Sequence, residues 1–162
     1  MAPSSLCVLE RPKYVQNLAA AVRACACFDI KTLIWTGSRF DLSQLDRTPR
    51  ELRMKDYKTV TVTNTNRPFE LLPPYIVPVC VDLLPGAIPL DQFEHPVNAA
   101  YVFGPEDGSV SQVYRRLCHK FVYIPSKFCL NLAAAMNVVL YDRQRSLYDQ
   151  SPITKSSARH RV

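Results

Sequence analysis

The sequence predicts an α/β domain on a mainly parallel sheet, and three observations carry that reading. Short apolar runs rich in β-branched residues alternate with helix-length stretches, as in parallel α/β folds. The 162 residues suit one compact domain, long enough to bury roughly 70% of its unfolded surface. Hydrophobic residues make up 48% and charged residues 21%, values that exclude wholesale disorder.

The elements follow in order. Leu6 to Leu9 is a short apolar run, stopped by Glu10-Arg11-Pro12. Val15 to Phe28 is Ala-rich with no Gly or Pro, and predicts a helix. Thr32 to Trp35 predicts a buried strand ended by Thr36-Gly37, and Thr59 to Thr63 alternates Thr with Val as a strand does. Ile76 to Val81 is strand-like, although Pro78 argues against a central position. Ala99 to Phe103 predicts another strand, and Ser111 is placed to cap a helix reaching Cys118. Phe121 to Ile124 is the next strand, closed by Pro125, and Leu130 to about Tyr148 is the longest helical pattern. Residues 1–150 thus form the domain, and the basic tail 151–162 is expected to fray.

Charge and cysteines narrow the function classes. Twenty Lys and Arg against 14 Asp and Glu lean toward a polyanionic partner. Arg39, Arg47, Arg50 and Arg53, with Arg67 further on, are candidate contacts, although a solvated charged face explains them equally well. The six cysteines lack any CxxC pair, and His95, His119 and His160 stand apart, so no metal site is expected. Buried free thiols in a reducing, cytoplasmic setting is the expectation. No apolar stretch reaches the roughly 18 residues of a membrane span.

In parallel sheets ligands bind at the carboxyl ends of strands, which directs attention to the loops after Phe103 and Ile124. The first reads GPEDG, from Gly104 to Gly108. Its glycines permit positive φ or a close backbone approach to a ligand, but Glu106 and Asp107 would repel a phosphate, and a plain surface turn is the alternative. The helix VQNLAAAVRACACF sets Asn17 six residues before Arg23. That arginine is either a snorkelling or ion-paired side chain or a guanidinium held for a phosphate or carboxylate. In IPSKFCLN, Asn131 enters the long helix as a cap or a site residue, and Asn137 recurs on the same face. If buried, the two amides need partners.

Taken together, these stretches resemble the three motifs of the SpoU/TrmH family of RNA ribose 2′-O-methyltransferases, in the SPOUT class. The first is an Asn followed six residues on by Arg in an Ala-rich helix; the second is an apolar strand entering a Gly-x-Glu loop, here YVFGPEDGSV. The third is Ile-Pro, a loop and a Leu-Asn helix start with small residues, here YIPSKFCLNLAAAMNVVLYD. Order and spacing match over nearly the whole chain. Departures are a motif-two loop one residue short, a shortened motif-three loop, and Cys129 where many members carry Ser.

The resemblance implies a minimal single-domain member with a C-terminal deep trefoil knot. It implies S-adenosylmethionine (AdoMet) as cofactor, S-adenosylhomocysteine as product and no metal, with contacts at Val81, Asp82, Gly104, Ile124, Cys129 and Leu130. AdoMet is cationic, which suits nearby carboxylates. The implied reaction is in-line methyl transfer to a ribose 2′-hydroxyl, with Arg23 essential and Asn17, Glu106 and Asn131 positioning it. A guanidinium, which carries donors and no acceptor, suits phosphate binding better than proton removal. The resemblance further implies a homodimer acting on tRNA ahead of rRNA. An inactive RNA-binding relative and an unrelated nucleotide-binding module are the competing expectations.

Overall fold

The computed structural model describes residues 4–41, 43 and 57–149. Arg47, Arg50, Arg53 and the tail 151–162 lie outside the described residues. In chain order the elements are β1 (Ser5–Leu9), α1 (Val15–Cys27), β2 (Thr32–Trp35), β3 (Thr61–Asn64), β4 (Val77–Val81) and β5 (Ile88–Pro89). They continue with β6 (Ala99–Phe103), α2 (Gln112–Leu117), β7 (Lys120–Tyr123) and α3 (Leu132–Asp149). The described strands form one seven-stranded sheet in the order β3-β2-β1-β6-β4-β7-β5, and every pair is parallel.

Why these runs are apolar throughout follows from the two faces of the sheet. Along β1, Cys7 and Leu9 face one core with Leu18, Val22 and Cys25 of α1 and Met136, Val139 and Leu140 of α3. Leu6 and Val8 alternate into a second, smaller core with Val102, Ile34, Cys80 and Val110. Strand β6 divides likewise, Tyr101 and Phe103 to the first core and Ala100 and Val102 to the second. A strand covered on both faces needs no polar alternation.

Several expectations shift. Pro78 sits in a central strand, between β6 and β7. Val77 donates its N–H to Asn98 on the β6 side, so the nitrogen of Pro78 faces β7, whose pairing begins only at Val79 with Lys120. The missing donor therefore falls where no partner strand has started. The last helix starts at Leu132 instead of Leu130, because Asn131 caps it, its Oδ1 accepting from Ala133 N at 2.9 Å. Asn131 and Asn137 are both exposed, not buried, and Asn137 back-bonds to Ala133 O at 2.8 Å. Ser111 caps α2 as expected, accepting from Tyr114 N. Cys7, Cys25, Cys80 and Cys118 are buried free thiols, but Cys27 and Cys129 are exposed. Strand β5 went unforeseen, being only two residues of which one is proline.

Candidate active site

Parallel pairing aligns Leu9, Phe103, Val81 and Val122 at the carboxyl ends of β1, β6, β4 and β7. Four loops therefore leave the sheet side by side. The loop after β6 folds back tightly. A Cβ on Gly104 would lie 2.6 Å from Val110 N and 2.8 Å from Ser109 C, so only glycine fits. Neither Gly104 nor Gly108 has positive φ, and the close approach is made by the loop's own backbone. Of the two uses of glycine considered, close approach is the one at Gly104, made to the loop's own backbone and not to a ligand.

The acids that seemed out of place in this loop serve N–H groups. Glu106 accepts from the backbone N–H of Lys13 at 2.7 Å and from Asn17 Nδ2. Two carboxylates from other strand ends hold the loop's far side. Glu10, buried after β1, accepts from Ser111 N at 2.7 Å, and Asp82, after β4, accepts from Val110 N at 2.9 Å. Charge-assisted bonds of this kind are about twice as strong as neutral ones.

Asn17 extends the network to α3. Its Oδ1 accepts from Asn131 Nδ2 at 3.2 Å, while Asn131 Oδ1 is occupied by the helix cap. Each amide has one usable orientation, since a flipped Asn17 would turn its oxygen toward the Glu106 carboxylate. The three motifs are thus joined by a polar chain running from the start of α3 through Asn131 and Asn17 to Glu106. Arg23 is exposed on α1, and six helical residues place it about 9 Å along the axis and about 120° around it from Asn17. It therefore projects from a different face of α1.

Asp107 points elsewhere. Its carboxylate receives both Nη groups of Arg39, at 2.9 and 2.7 Å, with Lys13 Nζ at 3.6 Å. The Arg39 bonds hold the Asp107 carboxyl well below the usual carboxylate range, and the same contact raises Arg39 further. Sequence reasoning missed Glu10 and Lys13, and named Arg39 only as a candidate contact for a polyanion. For Glu10 a signal existed, since an acid closes the apolar run of β1 at the sheet's ligand-binding edge; for Arg39 only the arginine-rich context pointed to it.

Beside the polar chain lies a cleft of about 480 Å³, within the range of small-molecule sites. Five of the six expected cofactor contacts line it: Val81, Asp82, Ile124, Cys129 and Leu130. Gly104 does not, but leads into the loop at its edge. Phe128 and Leu130 leave their side chains 75% and 41% exposed, an apolar wall ready for a ring. Asp82 is already committed, to Val110 N, to Leu83 N at 2.8 Å and, at 3.8 Å, to Arg115. The exposed apolar side chains fit a ligand that carries an apolar ring. Among the described residues no group of His, Cys, Asp and Glu is placed to hold a metal ion, and no helix is long and apolar enough to cross a membrane.

The family model described as the SpoU rRNA Methylase family matches residues 4–141. The chain belongs to that family. Solved SpoU-type structures share its fold. The SpoU methyltransferase AviRb from Streptomyces viridochromogenes, in complex with the cofactor AdoMet, is 20% identical with a TM-score of 0.75. The alignment covers 91% of this chain but 59% of that longer one. A TrmH/SpoU tRNA modifying enzyme from A. aeolicus is 18% identical with a TM-score of 0.78, covering 91% of this chain and 77% of that one. A structure concerning the 2-OH methylation of C/U34 on tRNA is 22% identical, TM-score 0.75, covering 90% and 98%. At these identities the likeness is one of fold. A comparison with curated proteins finds no match.

Proposed function

We propose that this SpoU-family chain is an AdoMet-dependent RNA methyltransferase acting on a ribose 2′-hydroxyl, with tRNA as substrate. The observation that carries the reading is the Asn131–Asn17–Glu106 chain beside a cleft lined by Val81, Ile124 and Leu130. The tRNA assignment draws support from the C/U34 structure, which matches this chain nearly end to end. An rRNA substrate is the second reading, favoured by the family's own description.

AdoMet, when bound, supplies an electrophilic methyl group on a sulfonium. Val81, Ile124, Cys129 and Leu130 hold its apolar parts in the cleft, with Asp82 and Gly104 shaping the adjoining loops. The family's deep trefoil knot would bring the loops after β6 and β7 together in this way. Asn17, Glu106 and Asn131 fix the relative positions of α1, the loop after β6 and the start of α3, so that substrate meets a preformed surface. Arg23 grips the target phosphate and stabilises charge developing on the 2′-oxygen, and a guanidinium, having donors only, does not take the proton. Its position on a different face of α1 from Asn17 supports a homodimer in which each site draws on both copies. We place the protein in the cytoplasm.

Incubation with labelled AdoMet and bulk tRNA or rRNA tests the reaction. Label in alkali-resistant dinucleotides of tRNA is expected, because 2′-O-methylation blocks cleavage there. AdoMet binding with no label in any RNA would leave an inactive RNA-binding relative as the better reading.

A further inference from the structure

Asp107 is the acid of the loop that the proposed reaction does not use. Glu106, Glu10 and Asp82 all accept backbone N–H groups, whereas Asp107 receives two cationic side chains from separate segments, Lys13 after β1 and Arg39 after β2. The loop is already fixed without it. As a brace the pair is also poorly sited, since the Arg39 and Asp107 side chains are 29% and 43% exposed and such pairs contribute little stability. What the contact does confer is orientation, because a bidentate fork sets the guanidinium plane.

The orientation leaves a usable edge. Nη1 and Nη2 each give one N–H to Asp107, and Nη1 also reaches Arg11 O at 3.4 Å. Among the described residues, Nε–H and the second N–H of Nη2 take no partner, and they form the side-on edge that matches two phosphate oxygens. Lys13 lies alongside with spare ammonium donors, and its own backbone N–H is bonded to Glu106, one bond from Asn17. Two cations thus surround the Asp107 carboxylate on the rim of the polar chain.

We propose that Lys13 and Arg39 form a docking point for a backbone phosphate of the RNA substrate, and that Asp107 is the positioning residue that fixes both cations. This rests on the RNA-directed reading above. It places a substrate nucleotide next to the methylated one across the Lys13–Arg39 rim, so that the rim sets register while the motifs do the chemistry.

The test measures binding of a fluorescein-labelled tRNA transcript across a salt series, with S-adenosylhomocysteine affinity and methyl transfer recorded in parallel. Arg39→Ala is expected to weaken RNA binding about tenfold and to flatten the log–log salt dependence by roughly 0.7 to 0.9, the share of one phosphate contact. Asp107→Asn should raise KM for RNA severalfold with kcat changed less than twofold, and S-adenosylhomocysteine affinity should be unchanged in both. Arg39→Lys should not rescue, since an ammonium has no side-on edge. If Arg39→Ala fails to fold, Lys13→Ala serves instead, because it keeps the backbone N–H that Glu106 needs. Unchanged affinity and salt slope in either variant overturns the proposal, as does tighter RNA binding by Asp107→Asn, which would make the carboxylate a competitor. Wild-type protein that binds tRNA yet methylates no RNA would sink the proposed reaction while leaving this docking point supported.

Discussion

Between Gly104 and Ser111 the chain is held by carboxylates from two other segments, Glu10 and Asp82, and its own Glu106 reaches out to Lys13 and Asn17. Between Pro125 and Leu130, by contrast, the side-chain bonds among the described residues are those of Ser126 Oγ, shared between Phe128 O at 2.8 Å and Ile124 O at 3.4 Å. Residues 125–130 are all exposed, Phe128 and Leu130 among them. The loop beside the cleft is preorganised, while the segment that lines the cleft is left to be completed by what binds. A rigid loop keeps polar groups in place at no further ordering cost, while exposed apolar side chains gain most when a ligand or second surface covers them.

The largest effect should come from unpinning the rigid loop. Glu106→Ala removes the bond that joins α1 to it and is expected to lower methyl transfer at least 100-fold. Charge-assisted bonds of this type give a stability loss of about 2–3 kcal/mol, read from urea unfolding. Glu10→Ala orphans the half-buried Ser111 N–H and should lose about 1–2 kcal/mol by the same measurement. If both variants keep wild-type midpoints, the contrast between the loops is only apparent.

Ligand addition sharpens the comparison from the other side. Hydrogen exchange of amides 124–131 should slow about tenfold or more on adding AdoMet, with 104–111 changing less than twofold. Equal protection of both loops would make the second as fixed as the first.

Acid separates the anchors further. Burial lowers the pKa of His95, which lies between Tyr101 OH at 2.6 Å and Asp142 Oδ2 at 3.0 Å and so fastens α3, the helix following the open loop, to β6. The unfolded chain takes up a proton below about pH 6.5 that the native histidine resists, so this contribution is complete above that pH and is lost as pH falls. Asp107 is depressed too, but its loss begins only below about pH 3.8, from the same sign argument. The melting temperature should therefore fall between pH 6.5 and 5, and His95→Gln should flatten that fall. The smallest effect is expected at Phe128→Ala, with less than about 0.5 kcal/mol on stability because the ring is exposed, and with weaker AdoMet binding by calorimetry.

Much of this was legible in the sequence. Strand and helix positions followed from apolar runs, and the family resemblance picked out Asn17, Glu106 and Asn131, which prove to be hydrogen-bonded to one another. What was not legible depends on partners remote in sequence. Nothing near Glu10 announces that it will hold Ser111, and nothing near Asp107 announces Arg39. The glycine at 104 was read as freedom for a ligand, when its neighbour is the loop's own backbone. Pro78 misled because the rule against proline in central strands counts strands, whereas the physics counts the hydrogen bond that Pro78 would have had to donate.

The sheet order also bears on how the chain gets there. Strand β4 lies between β6 and β7, both of which follow it in sequence, and β1 pairs with β6 from the opposite end of the domain. Emerging from the ribosome, β4 has neither of its neighbours until the chain has been made through Phe103 and then Tyr123. Long loop closures must precede the contacts that reward them, which makes for slow folding and prolonged exposure of an apolar edge. Here Pro78 has a second consequence: it removes one donor from that waiting edge, and so makes β4 a poorer template for the wrong strand.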